Sequence, residues 1–146
     1  HEVPLTGVTR YATDAVLTEA LRHAVPLALQ DVVHHLPRSD WLGLDLTQVR
    51  VHEGLVISGD RFVATTAEST ALQRELPDAL AVEMECAAMA QVCHDYGVPL
   101  AAVRTISDRA DDAAHVDFPK FIQTIASRYS VAVLDRLLAQ LPASIT

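Results

Sequence analysis

The sequence is poor in cysteine, glycine and aromatic residues, has no excess of positive charge and contains no long uninterrupted apolar run. Its two cysteines, Cys86 and Cys93, stand seven positions apart in a stretch that reads as a single helix. That spacing is too wide for a disulfide along a rigid helix, and neither a CxxC pair nor zinc-ligand spacing is present, so a reducing compartment is expected and a metal site is not. Lysine and arginine total 11 against 19 aspartates and glutamates, a formal net charge of −8 at pH 7. A chain of that charge repels a phosphate backbone or an anionic membrane surface, which argues against nucleic acid and membranes as partners and favours a small neutral or cationic ligand. With no bilayer-length apolar run and no basic-then-apolar leader, the expected location is the cytoplasm. His23, His34, His35, His52, His94 and His115 are scattered without ligand spacing, and no cofactor is expected.

What is present is apolar material: half of the 146 residues, enough for one domain with one core. The lead-in with Pro4 and Gly7 has no period. From Thr13 or Asp14, either of which can cap a helix, Val16, Leu17, Ala20, Leu21 and Ala24 recur at helical spacing. Pro26 is expected to end or kink this helix, leaving a second piece over 27–36 closed by Pro37. The stretch 49–58 alternates and then turns continuously apolar, which predicts a strand broken by Gly59 and Asp60. A short helix over 68–75 leads past Pro77 to a buried strand at 79–82. Residues 83–96 predict a helix apolar nearly all round, hence covered on most sides, and stopped by Gly97. Residues 99–108 predict a third buried strand that turns polar at its end. Asp117 then caps a long helix carrying Phe121, Ile122, Ile125, Tyr129, Ala132 and Val133 on one side.

Three short buried strands separated by helices predict an α/β layer structure with the sheet covered on both faces, and ligands in such folds bind at the carboxyl ends of the strands. Here those ends are the chain's three polar clusters: Ser58 to Phe62, Glu83 to Glu85, and Ser107 with Asp108. Taken singly, each has an ordinary reading. Glu83 and Glu85 suit a helix N-terminus, and Ser107 with Asp108 suits a turn or cap. Carboxylates beside so many apolar residues nevertheless require hydrogen-bond donors.

Taken together, the clusters resemble a known family. The stretch LPDALAVEMECAAMAQVCHDYGVPLAAVRTISDRAD, followed by HVDF, resembles the C-terminal part of bacterial 5'-methylthioadenosine/S-adenosylhomocysteine nucleosidases, and Ser58-Gly59-Asp60-Arg61-Phe62-Val63 resembles that family's SGD-x-F segment. The resemblance is strong over about 51–118. It implies a nucleoside phosphorylase/hydrolase-like fold, a three-layer αβα sandwich with a central mixed sheet, of which residues 1–146 would be the C-terminal portion lacking the N-terminal strands. The implied activity is hydrolysis of the N-glycosidic bond of a purine nucleoside with release of adenine. The residue matches imply that Phe62 forms the purine platform and that Val63 offers its backbone to the adenine edge. Met84 and Glu85 would line the ribose, with Glu83 on the water side of the sugar. Asp108 would be the acid to purine N7, with Ser107 beside it, Arg104 would hold the carboxylates, and Phe118 would approach the 5' substituent. A buried acid with a raised pKa suits proton delivery to adenine, and nearby carboxylates suit the positive charge that develops on the sugar.

The resemblance also implies a homodimer. The family's water-activating acid and glycine-rich loop belong to its N-terminal half, and no residue before Thr47 takes either role. The chain opens on His1, and the expectation is a fragment that needs its missing half or a partner chain, because a sheet without its first strands exposes edges. Two other functions fit the same residues: a purine nucleoside phosphorylase using phosphate, and a nucleoside-binding module without catalysis.

Overall fold

The computed structural model describes residues 2, 6–35, 49–112 and 126–141. In order these form α1 (Ala15–His35), β1 (Leu55–Ser58), α2 (Thr66–Glu75), β2 (Ala79–Glu83), α3 (Cys86–Asp95) and α4 (Ser127–Leu138). The long predicted helix is described only in its second half, and the proposed cap Asp117, together with Phe118 and His115, lies outside the described residues.

Of the two candidate caps for α1, Asp14 is the one used: its Oδ1 accepts the Leu17 N–H at 2.9 Å. The helix does not break at Pro26 but runs through it. Leu21 and Val25 before the proline and Ala28 after it form one buried cluster with Val133 of α4, so burial on both sides holds the helix together. Pro26 itself is exposed. The carbonyl of Arg22, which a proline at this position leaves without its helical donor, therefore lies toward the water-facing side. An Arg136–Asp31 ion pair at 2.6 Å closes the same helix pair at its rim.

The sheet formed by the described residues is the parallel pair β1–β2, with Val56, Ile57 and Ser58 opposite Ala81, Val82 and Glu83. β1 is shorter than the predicted 49–58 because pairing begins only at Leu55. Just before it, Gly54 lies so close to Leu80 that a Cβ there would stand 2.5 Å from the leucine Cδ1. The predicted third strand, 99–108, is not laddered. Pro99 has no N–H to give, and the Leu100 carbonyl accepts the Asp14 N–H at 2.7 Å, which ties this segment to the start of α1 instead.

α2 begins two residues earlier than predicted. Thr65 accepts the Glu68 N–H at 3.3 Å while the Glu68 carboxylate accepts the Thr65 hydroxyl at 2.9 Å, a reciprocal pairing written in the sequence as T-x-x-E. α3 ends as predicted. Gly97, at φ +64°, donates to His94 at 3.2 Å and Val98 donates to Cys93 at 2.8 Å, which satisfies two carbonyls of the last turn. The expectation that this helix is covered on most sides is not met by the described residues. Only Ala90 is buried, while Met89, Val92 and Tyr96 are exposed, Tyr96 at 80%. No helix among the described residues is long and apolar enough to cross a membrane.

Candidate functional site

A parallel strand pair brings the carboxyl ends of both strands to one edge. Ser58 and Glu83 are paired in register there, and the Gly59 N–H extends the ladder to the Glu83 carbonyl at 3.0 Å. Their side chains meet as well: the Ser58 hydroxyl donates to Glu83 Oε1 and accepts the Ala87 N–H at 2.8 Å. The rest of the Glu83 carboxylate is saturated from within. It accepts the Glu85 N–H at 3.0 Å and the Cys86 N–H at 2.9 Å, so it caps α3 from three positions before its first residue. At 8% side-chain exposure this is an expensive place for a charge. Burial pushes its pKa upward, but the bonds from Ser58 and from the backbone of Glu85 and Cys86 outweigh it and leave the carboxyl below its ordinary range.

Arg104 reaches this carboxylate from the extended 99–108 segment. Its Nη2 donates to Glu83 Oε2 at 2.7 Å and to Glu85 Oε2 at 2.6 Å, bridging a buried carboxylate and one that is 61% exposed. Desolvation lowers the guanidinium pKa, but the bond to Glu85 and the charge of Glu83 win, and it lies above its ordinary value. The neighbouring Cys86 thiol is pushed up to about 11, by burial first and then by its bond to Glu83.

Asp108 ends the segment. Its Oδ2 accepts the Ser107 hydroxyl at 2.7 Å and its Oδ1 the Ala110 N–H at 2.8 Å. Ala110 holds a left-handed φ of +52°, uncommon for a residue with a Cβ. Beyond it, the Asp112 carboxylate accepts the Thr66 hydroxyl at 3.1 Å, which fastens the loop to the start of α2.

Between α2, β2, the 103–110 segment and α4 lies an open cleft of about 1020 Å³. Phe62, Val63, Glu83, Met84, Glu85, Arg104, Ser107 and Asp108 all line it. The structure thus gathers onto one surface every candidate residue that it describes, and the remaining candidate, Phe118, is not among the described residues. Two residues given no role from the sequence also bear on the site. Ser58, outside the lining, bonds and orients Glu83, and Tyr129 of α4 is among the lining residues. The signal for Ser58 was its place at the end of a strand beside a buried acid; Tyr129 looked only like a core aromatic. Among the described residues, no group of three or more His, Cys, Asp or Glu is placed to hold a metal ion.

This fold and site place the chain in a family: residues 1–139 match the phosphorylase superfamily, and the chain belongs to it. Among solved structures, it is similar to the 5'-methylthioadenosine/S-adenosylhomocysteine nucleosidase of Neisseria meningitidis in complex with methylthio-immucillin-A, at 31% identity and TM-score 0.74 over 96% of this chain and 52% of that one. The nucleosidase of S. pneumoniae with the transition-state inhibitor MT-ImmA matches at 30% identity and TM-score 0.69, over 90% of this chain and 49% of that one. The futalosine hydrolase of Helicobacter pylori matches at 26% identity and TM-score 0.71, over 96% and 51%. The chain spans about half the length of these relatives.

Proposed function

We propose that this chain supplies the base- and ribose-holding side of a purine nucleoside N-glycosidase that releases adenine from 5'-methylthioadenosine or S-adenosylhomocysteine. The observation that carries this reading is the convergence of Phe62, Glu85, Arg104 and Asp108 on one cleft. In this reading the base stacks on Phe62 with its edge along the Val63 backbone, and Met84 and Glu85 hold the sugar. Asp108 protonates N7 as the bond from the anomeric carbon to N9 breaks, so adenine departs neutral and water adds to the sugar carbon. Glu83 and Glu85 lie on the side where positive charge develops, and Arg104 keeps both carboxylates aimed. Phe118 approaches the 5' substituent. The water-activating base comes from a further segment or partner chain. The same reading carries a homodimer and a reducing cytoplasmic setting, with Cys86 and Cys93 as free thiols.

A futalosine-type substrate is the second reading, favoured by the match to the futalosine hydrolase over 96% of the chain. The deciding experiment incubates the protein with methylthioadenosine, S-adenosylhomocysteine and futalosine in phosphate-free buffer and follows base release. Adenine release without phosphate supports the proposal, and release only when phosphate is added makes the protein a phosphorylase. Ligand-dependent thermal stabilisation without turnover makes it a binding module.

A further inference from the structure

Arg104 Nη2 carries two hydrogens and serves two carboxylates with them, Glu83 Oε2 at 2.7 Å and Glu85 Oε2 at 2.6 Å. The two acceptors are unequal. The Glu83 side chain is nearly out of reach of water, whereas that of Glu85 is open to it. A buried carboxylate short of donors would therefore draw the guanidinium toward itself and away from Glu85. What prevents this lies on the other Glu83 oxygen, where Oε1 shares the Cys86 N–H at 3.0 Å and receives the Ser58 hydroxyl. Ser58 is held in turn, because its oxygen accepts the Ala87 N–H at 2.8 Å and its backbone is in register with Glu83. A line of hydrogen bonds thus runs from the end of β1 through Glu83 and Arg104 to Glu85, whose Oε1 has no hydrogen-bond partner among the described residues.

We propose that Ser58 is a positioning residue for the sugar-holding carboxylate of Glu85, acting through Glu83 and Arg104; the proposal rests on the nucleoside reading above. With the serine donor present, Glu83 needs only one Nη2 hydrogen and Glu85 keeps the other, so one Glu85 oxygen is fixed and the second is left for the sugar hydroxyls. Without that donor Glu83 competes for both hydrogens. Glu85 then regains the rotamer freedom of an exposed side chain, which is lost again each time a nucleoside binds. Ser58 lies outside the cleft lining, so it acts through these side chains and not by touching the ligand. The contacts assigned to the base, from Phe62, Val63 and Asp108, do not run through this line, and the effect falls on the sugar.

The test titrates methylthioadenosine and adenine calorimetrically against wild type, Ser58→Ala, Ser58→Thr, Glu85→Gln and the Ser58→Ala/Glu85→Gln double variant, at a temperature where thermal melts show each to be folded. Ser58→Ala is expected to weaken methylthioadenosine binding about tenfold and adenine binding by less than about twofold. Ser58→Thr, which keeps the hydroxyl, is expected to restore the wild-type ratio of the two affinities, and in the Glu85→Gln background the alanine is expected to change that ratio no further. An unchanged ratio in Ser58→Ala, or an effect fully additive with Glu85→Gln, overturns the proposal, leaves the nucleoside reading standing and makes the serine a structural fastener alone. Should Ser58→Ala not fold, Ser58→Cys, of similar size and with a weaker donor, carries the same comparison, and an unchanged ratio there overturns the proposal equally. Absence of wild-type binding to either compound removes the nucleoside reading and the proposal with it.

Discussion

Ser58 and Glu83 are joined twice, once through the register of the parallel strands that they close and once through the bond from the serine hydroxyl to the glutamate carboxylate. The same hydroxyl receives the Ala87 N–H at 2.8 Å, so one small side chain links both strand ends to the first turn of α3. Ser58→Ala removes a donor from a carboxylate with 8% exposure and leaves an amide without its acceptor. The expected loss of stability is about 1–3 kcal/mol, read from urea denaturation at neutral pH. A change below a few tenths would mean that the serine is dispensable.

Glu83 also sets a pH dependence. Its folded pKa lies below the ordinary 4.5, so the unfolded chain binds the proton more readily. The stability it contributes is therefore complete above the ordinary value and is lost as the pH falls through the folded one. Glu83→Gln is expected to be less stable than wild type at pH 7, with the gap narrowing on acidification below about pH 4.5. Denaturation curves across that range check it, and a gap that widens toward acid contradicts the assignment.

The Cys86 thiol, pushed up to about 11, is expected to be a slow nucleophile. Its alkylation by iodoacetamide, followed by mass spectrometry, should accelerate about tenfold per pH unit from 8 to 10, because the thiolate fraction climbs in that proportion below the pKa. A flat profile over this range would show a thiol already ionised.

Asp108→Asn is expected to lower adenine release by on the order of a hundredfold or more while nucleoside binding persists in part, because the amide fills the same space without an acidic proton. Steady-state rates beside a binding titration separate the two effects, and full activity in the variant removes Asp108 from the chemistry.

At the helix pair, Ala28 is fully buried against α4. Ala28→Leu adds three heavy atoms to this buried contact and is expected to cost about 1–3 kcal/mol through overpacking, with thermal melts as the check. A neutral result would place unoccupied space between α1 and α4.

The sequence is most legible where the cause of a structure is local. Gly97 stops α3 because only a left-handed residue closes that turn, and β2 at Ala79–Glu83 extends the predicted strand by one residue. Phe62, Glu83 and Glu85 reach one cleft because the polar ends of two parallel strands share an edge, and Arg104, Ser107 and Asp108 join them from a segment that carries no ladder. Errors arose where distant partners decide. The piece after Pro26 reads as a second helix until α4 is seen to pack on both sides of the proline, and 99–108 reads as a strand until the Leu100 carbonyl is found bonded to Asp14. The start of α2 is legible in the sequence, since Thr65 and Glu68 stand at capping-box spacing. Nothing in the sequence indicates that the Tyr129 hydroxyl is buried without a partner among the described residues, because that depends on everything packed around it.

The two oxygens of Asp108 are engaged unequally, one by a backbone amide that is fixed in place and the other by a hydroxyl that is free to rotate. A proton held by this carboxyl thus has its easier seat on Oδ2, where Ser107 accommodates it by turning from donor to acceptor. In the reaction proposed above, proton transfer from Asp108 would then amount to the swing of one serine rotor, with the Ala110 turn left undisturbed.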